Sequence, residues 1–163
     1  MSSSANDIVI CEPLRTPVGR FLGALAPLTA TDLATTVLRE LVERTGLQEG
    51  DVDDVILGNG YASGENPAIG RIAALDAGLG NGVPGLQIDR RCGSGLQAIL
   101  YAAGSVATGA ANLVVAGGAE SMSNVEHYAL GLRGGVKQGG IELLDRLDRA
   151  RETAGGKDHP IPG

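Results

Sequence analysis

Apolar positions along this chain fall into short blocks that alternate between a strand-like and a helix-like period. Ile8-Val9-Ile10-Cys11 is a compact β-branched run and predicts a first strand. The loop LRTPVGRFLG follows, punctuated by Pro17, Gly19 and Gly23. Leu33, Val37, Leu38, Leu41 and Val42 then recur at helical spacing, with Thr31 placed to cap the helix and Gly46 to end it. Val52 to Leu57 predicts a second strand, running into Gly58-Asn59-Gly60. Asn66-Pro67 reads as an N-cap followed by proline at the first helical position, opening a helix to about Ala77 that stops at Gly78. Leu86-Gln87-Ile88 is a short third strand leading directly to Cys92. From Gly95 to Thr108 small or apolar residues occupy nearly every side, which predicts a helix buried all round and ended by Gly109. Leu113-Val114-Val115-Ala116 is continuously apolar, as a central parallel strand is.

Strands and helices alternating at this spacing predict an α/β fold: a mostly parallel sheet with right-handed crossovers and helices layered on both faces. The pattern changes after Ser123. Residues 124–163 hold one short amphipathic stretch, GIELLDRLDRAR, with loops around it, and the segment from Gly155 onward shows no element. The expected division is therefore 1–123 and 124–163.

Composition narrows the picture. The 163 residues suffice for one domain with a real core, and 43% hydrophobic against 20% charged residues excludes a disordered chain. Aromatics make up 2%, so the core has to be built from Ala, Val, Leu and Ile. The 26 glycines follow no Gly-X-Y period and suit tight turns and close helix–sheet packing. A net charge of -6 argues against nucleic acid as a partner, although local arginines can still bind a phosphorylated small ligand. Arg133, Lys137, Arg146, Arg149, Arg151 and Lys157 read first as a solvated face. Two cysteines in unlike contexts make no disulfide framework, and MSSSAND has neither a basic nor an apolar signal region, so a cytoplasmic location is expected. No apolar run is long enough to span a bilayer, so no membrane is expected as a partner.

The candidate chemistry sits in RCGSGL, residues 91–96. Cys92 falls where a strand gives way to a helix, at the carboxyl edge of the expected sheet, where ligands of α/β proteins gather. The helix N-terminus favours a thiolate. Gly93 and Gly95 remove side chains beside the sulfur, so that backbone N–H groups can face a developing oxyanion. The competing reading of Cys92 is a small core hydrophobe, and for Cys11, inside a strand, that reading is preferred. Other templates fail. Gly78-Leu79-Gly80-Asn81-Gly82 lacks dinucleotide-binding spacing, no phosphate-loop lysine motif is present, and His127 and His159 lack cysteines at zinc spacing. Asp51, Asp53 and Asp54 read as a solvated turn before a strand.

Four segments together resemble the thiolases, the acetyl-CoA acetyltransferases and 3-ketoacyl-CoA thiolases. They are ICEPLRTPVGRFLGALA, GNGYASGENPAIGRIAAL, DRRCGSGLQAI and GGAESMSN, in the order and spacing of that family over most of residues 8–124. The resemblance implies the amino-terminal part of a thiolase fold, ending in the start of an inserted loop domain and without the last strand of the first half. It implies that Cys92 accepts an acyl group from acyl-CoA as a thioester, within a reversible Claisen condensation or thiolysis. Coenzyme A thioesters are then substrates and no cofactor is required.

The same resemblance implies pieces that this chain does not contain: a general-base histidine in a second half, and a second cysteine in a Cys-x-Gly-Gly-Gly-type segment. His127 and His159 lie in no matching motif. The chain alone is accordingly expected to show little turnover, and to work as a homo-oligomer, dimer or tetramer, or with a chain carrying the missing half. The alternative is a non-catalytic partner subunit or a CoA-binding remnant. Asp89-Arg90-Arg91 before the cysteine departs from the family pattern, in which an asparagine is common, and Ala119 stands where methionine is frequent.

Overall fold

The computed structural model describes residues 7–153. Three parallel strands form the sheet: β1 (Asp54–Gly58), β2 (Gly85–Ile88) and β3 (Val114–Gly118), in the order β2-β1-β3. Their register aligns Gly58 with both Ile88 and Gly118, so all three strands end together at one carboxyl edge. Helices α1 (Ala30–Thr45), α2 (Ile69–Asp76) and α3 (Ser94–Ala107) lie between and before them.

Alternation along β1 divides the core. Val55 and Leu57 pack with Ala34 and Leu38 of α1 and Ile69, Ala73 and Ala74 of α2. Ile56 points the other way, onto Ala98 and Ala102 of α3, with Ile88, Val114 and Ala116 beside it. Helices therefore cover both faces, as expected. Every buried hydrophobic residue among those described is Ala, Val, Leu or Ile. Without aromatic bulk the layers come close. A Cβ on Gly70 would fall 2.6 Å from the carbonyl oxygens of Val55 and Leu86, so α2 rests directly on the backbone of β1 and β2.

Several expectations are corrected. Ile8-Val9-Ile10-Cys11 forms no strand. The segment is exposed, with Val9 at 78% and Ile10 at 77%, and it pairs with none of the described strands. Cys11 is exposed rather than a core residue. The continuously apolar Leu113–Ala116 run belongs to an edge strand; β1 is central. Its apolar character comes from packing on both faces, which a parallel edge strand shares with a central one. α3 is not buried all round: Leu96 and Leu100 are 64% and 55% exposed, because the sheet covers only its Ala98–Ala102 side.

Helix ends shift for identifiable reasons. The N-cap of α1 is Thr29, not Thr31, because Thr29 and Asp32 form a reciprocal capping box. Gly46 closes the helix in the left-handed conformation as expected, with φ 68°. α2 begins at Ile69 rather than after Asn66. Its N-cap, Ala68, offers no side-chain bond, and the Ile69 amide donates instead to Gln87 Oε1 of β2 at 3.2 Å.

Past β3, a short 3-10 turn (Met122–Asn124) ties back to the first loop. Ser121 Oγ donates to the Leu28 carbonyl, Asn124 Nδ2 donates to the Ala26 and Leu28 carbonyls, and the Leu22 amide donates to Ser123 Oγ. A two-stranded antiparallel ribbon follows, β4 (His127–Tyr128) with β5 (Leu144–Asp145), then α4 (Arg146–Thr153). The amphipathic stretch expected over 140–151 is thus strand first and helix second. The segment from Gly155 onward, with Lys157 and His159, lies outside the described residues. Among the described residues no helix is long and apolar enough to cross a membrane.

Candidate active site

The aligned ends of β1, β2 and β3 deliver three polar turns to one edge: Asn59-Gly60-Tyr61, Asp89-Arg90-Arg91-Cys92, and Ala119-Glu120. Cys92 is exposed and sits immediately before Gly93, the N-cap of α3. Among the described residues this thiol belongs to neither core cluster, contrary to the core-hydrophobe reading.

Ser94, buried at 5%, closes the turn beneath the thiol. Its hydroxyl accepts from the Arg90 amide at 2.8 Å and donates to the Arg91 carbonyl at 2.7 Å. Two backbone bonds reinforce it, from the Gly93 amide to the Arg90 carbonyl and from the Ser94 amide to the Arg91 carbonyl, both 3.0 Å. These two amides are occupied, so the expectation that the amide beside the sulfur waits for an oxyanion does not hold for Gly93. Close approach matters instead at Gly58. A Cβ there would lie 2.5 Å from the Ser94 backbone carbon, so only glycine at the end of β1 lets the first turn of α3 settle onto the sheet.

Arg91 adopts φ 48°, a left-handed conformation that costs a residue with a Cβ about 1–2 kcal/mol. Its amide donates to Asp89 Oδ1 at 2.8 Å, and its Nη1 donates to the Gly60 carbonyl at 2.6 Å and pairs with Asp89 Oδ2 at 3.1 Å. The guanidinium also stands 5.8 Å from the centre of the Tyr61 ring.

Glu120 binds the next turn. Its carboxylate accepts from Asn59 Nδ2 and the Gly60 amide, both at 2.8 Å, and from the Tyr61 amide at 3.3 Å. The residue keeps one side toward solvent while this carboxylate sits among backbone amides. Desolvation pushes its pKa upward, against the pull of the Gly60 and Tyr61 amides.

Sequence reading assigned no role at the site to Asn59, Glu120 or Tyr61. The available signal was a polar residue directly after each apolar strand, in GNGY and GGAES. Arg146 departs from the solvated-face reading. It is half-buried, pairs with Glu126 at 3.0 Å, donates to the Ala62 carbonyl and stands 5.9 Å from the Tyr61 ring. Burial works to raise the Glu126 carboxyl, but its hydrogen bonds, including those with the Gly64 amide, Ser63 and Arg146, outweigh burial and lower its pKa. Arg133, Lys137 and Arg151 are exposed as expected. Asp53 is an anchor rather than free turn solvation: the Asn112 and Leu113 amides donate to it at 2.6 and 3.1 Å and hold its carboxyl below the usual aspartate range. A cavity of about 570 Å³ opens beside the cysteine turn, lined by Tyr61, Arg91, Glu126, Tyr128 and Arg146 among others.

A family model described as the thiolase amino-terminal domain matches residues 8–152. The chain belongs to the thiolase family. Relatives include an acetyl-CoA acetyltransferase of Pseudomonas aeruginosa, 44% identical over 143 residues, covering 86% of this chain and 36% of that protein. A probable acetyl-CoA acetyltransferase of Escherichia coli is 43% identical over 143 residues, with the same shares covered. The crystal structure of the Bacillus anthracis acetyl-CoA acetyltransferase superposes with a TM-score of 0.81 at 38% identity, covering 90% of this chain and 36% of that one. This thiolase-family chain therefore spans about a third of the length of the relatives it matches.

Proposed function

We propose that this chain supplies the acyl-accepting part of an acyl-CoA C-acyltransferase, with Cys92 as the nucleophile. The observation that carries the reading is the exposed Cys92 thiol at the mouth of α3, on the edge where all three strands end. In the first step the sulfur attacks the thioester carbonyl of acyl-CoA. The new carbon–sulfur bond forms as the bond to the CoA sulfur breaks, and the proton of the Cys92 thiol ends on the departing CoA. The acyl group then passes to the α-carbon of acetyl-CoA: that carbon loses a proton, the new carbon–carbon bond forms as the Cys92 thioester bond breaks, and the departing Cys92 sulfur regains a proton; the same steps reversed are thiolysis.

Coenzyme A thioesters are the substrates in this reading, and the chemistry asks for no further cofactor. The base and second cysteine that complete the site come from sequence outside these residues or from a partner chain that carries them, and the assembly is a homo-oligomer or includes that partner. The cytoplasm, with a role in fatty acid metabolism, is the setting that suits two unpaired cysteines and this chemistry.

The test is a mass measurement on the protein isolated from its own source, with any chain that copurifies, after exposure to acetyl-CoA. The expected result is one acetyl group on the peptide containing Cys92 and none on Cys11, lost in Cys92→Ser. Acetylation elsewhere, or none at all, overturns the assignment and favours a non-catalytic partner.

A further inference from the structure

Arg91, directly before the proposed nucleophile, is fixed from several sides at once. Its amide is held by Asp89 Oδ1, and its carbonyl accepts from both the Ser94 amide and the Ser94 hydroxyl. Its guanidinium reaches across to the Gly60 carbonyl at 2.6 Å and lies near the Tyr61 ring. The 60–61 turn is itself held by Glu120 through the Gly60 and Tyr61 amides.

A solvated ion pair explains only part of this. The Arg91–Asp89 pair is about half exposed on both sides, and such pairs contribute little. It does not account for the bond to a backbone carbonyl on another strand end or for a left-handed backbone one residue before the thiol. A strained conformation of this kind persists only where the surroundings over-determine it. Arg91 and Cys92 share a peptide plane, so relaxation of Arg91 redirects the bond that carries the Cys92 sulfur.

We propose that Arg91 is a positioning residue for Cys92: its guanidinium, clamped to the Gly60 carbonyl and Tyr61, holds the backbone that aims the sulfur. The inference rests on the acyl-transfer reading above and adds to it a specific link between two strand ends. The flat guanidinium of arginine matters, because Nη1 meets both the Gly60 carbonyl and Asp89 while the plane of the group lies near the Tyr61 ring; a lysine ammonium keeps the charge but has no planar face to set against that ring.

The experiment compares wild type, Arg91→Lys and Arg91→Gly in the protein as isolated with any copurifying chain. Arg91→Lys keeps the charge, and Arg91→Gly relieves the left-handed strain. Single-turnover acetylation of Cys92 by acetyl-CoA is expected to slow roughly 10- to 100-fold in both, the size of effect that a misplacement near 1 Å produces. The acetyl-CoA concentration giving half the maximal rate is expected to stay within about twofold, as for an interaction that acts on the transition state and not on binding. Amide exchange over residues 89–97 is expected to quicken, while iodoacetamide, which needs a thiolate and access but no fixed aim of the sulfur, still labels Cys92 at alkaline pH.

Wild-type acetylation in either variant overturns the positioning role, and so does slow acetylation with unchanged exchange. If wild type itself takes up no acetyl group, the acyl-transfer reading fails and the positioning role goes with it; exchange then reports only whether the clamp exists.

Discussion

Asn59 and Cys92 lie on the same sheet edge but answer to substitution in opposite ways. Asn59 is buried at 3% exposure and donates to the Ala119 carbonyl at 3.0 Å and to Glu120 at 2.8 Å. Asn59→Ala removes the donor from both acceptors, and is expected to cost about 2 kcal/mol, the scale of a buried polar group left unpaired. Urea unfolding measures it, and an unchanged midpoint would mean that water takes the amide's place. Cys92 is exposed, so Cys92→Ser is expected to shift stability by less than about 0.5 kcal/mol while abolishing acyl uptake. A large loss of stability would point to a structural thiol instead.

At the scale of an element, α1 shows how charge and capping combine. The Thr29 amide donates to Asp32 Oδ2 at 2.8 Å, and the Asp32 amide donates to Thr29 Oγ1 at 3.1 Å. Thr29→Ala is expected to cost about 1 kcal/mol at neutral pH. Hydrogen bonds from Thr29, first its hydroxyl and then its amide, hold the Asp32 carboxyl below the ordinary aspartate value, with a small opposing effect of burial. A depressed folded pKa contributes stability that is present above the unfolded value and is lost as pH falls through the folded one. The difference between wild type and Thr29→Ala should therefore narrow in acid, below the ordinary aspartate range, to the part carried by the Asp32 amide bond to Thr29 Oγ1. Thermal melts across that range check it, and a gap of constant size would assign the effect to the Asp32 amide bond to Thr29 Oγ1, with no contribution from the bond to the carboxylate.

For the whole molecule, the outer side of α3 is the feature with the clearest consequence. Leu96 and Leu100 are one helical turn apart and both exposed, with Tyr101 beside them at 49%. Exposed apolar groups of this kind take up hydrophobic probes. The 163-residue chain in solution is expected to enhance the fluorescence of an anilinonaphthalene dye. The pair Leu96→Glu and Leu100→Glu should remove much of that signal and move stability by less than about 0.5 kcal/mol. Loss of the folded state in that variant would show that another surface covers these leucines in solution.

The local pattern by itself determined the helix–strand alternation, the left-handed glycine that ends α1, the Ala/Val/Leu/Ile core and the placement of Cys92 at a strand-to-helix turn. Each of these depends on neighbours within a few residues, where periodicity and glycine chemistry speak directly. The motif around Cys92 was equally legible, because its residues are contiguous. Only the tertiary structure decided which strand is central, since an edge strand with both faces packed has the same apolar sequence as a middle one. It alone showed that Ile8–Cys11 has no pairing partner among the described strands, and that α3 is covered on one side. The tie from Glu120 to Gly60 and from Gly60 to Arg91 joins residues 60 and 31 positions apart. Such contacts follow from the parallel register that brings three strand ends to one edge, and no window along the chain contains that register.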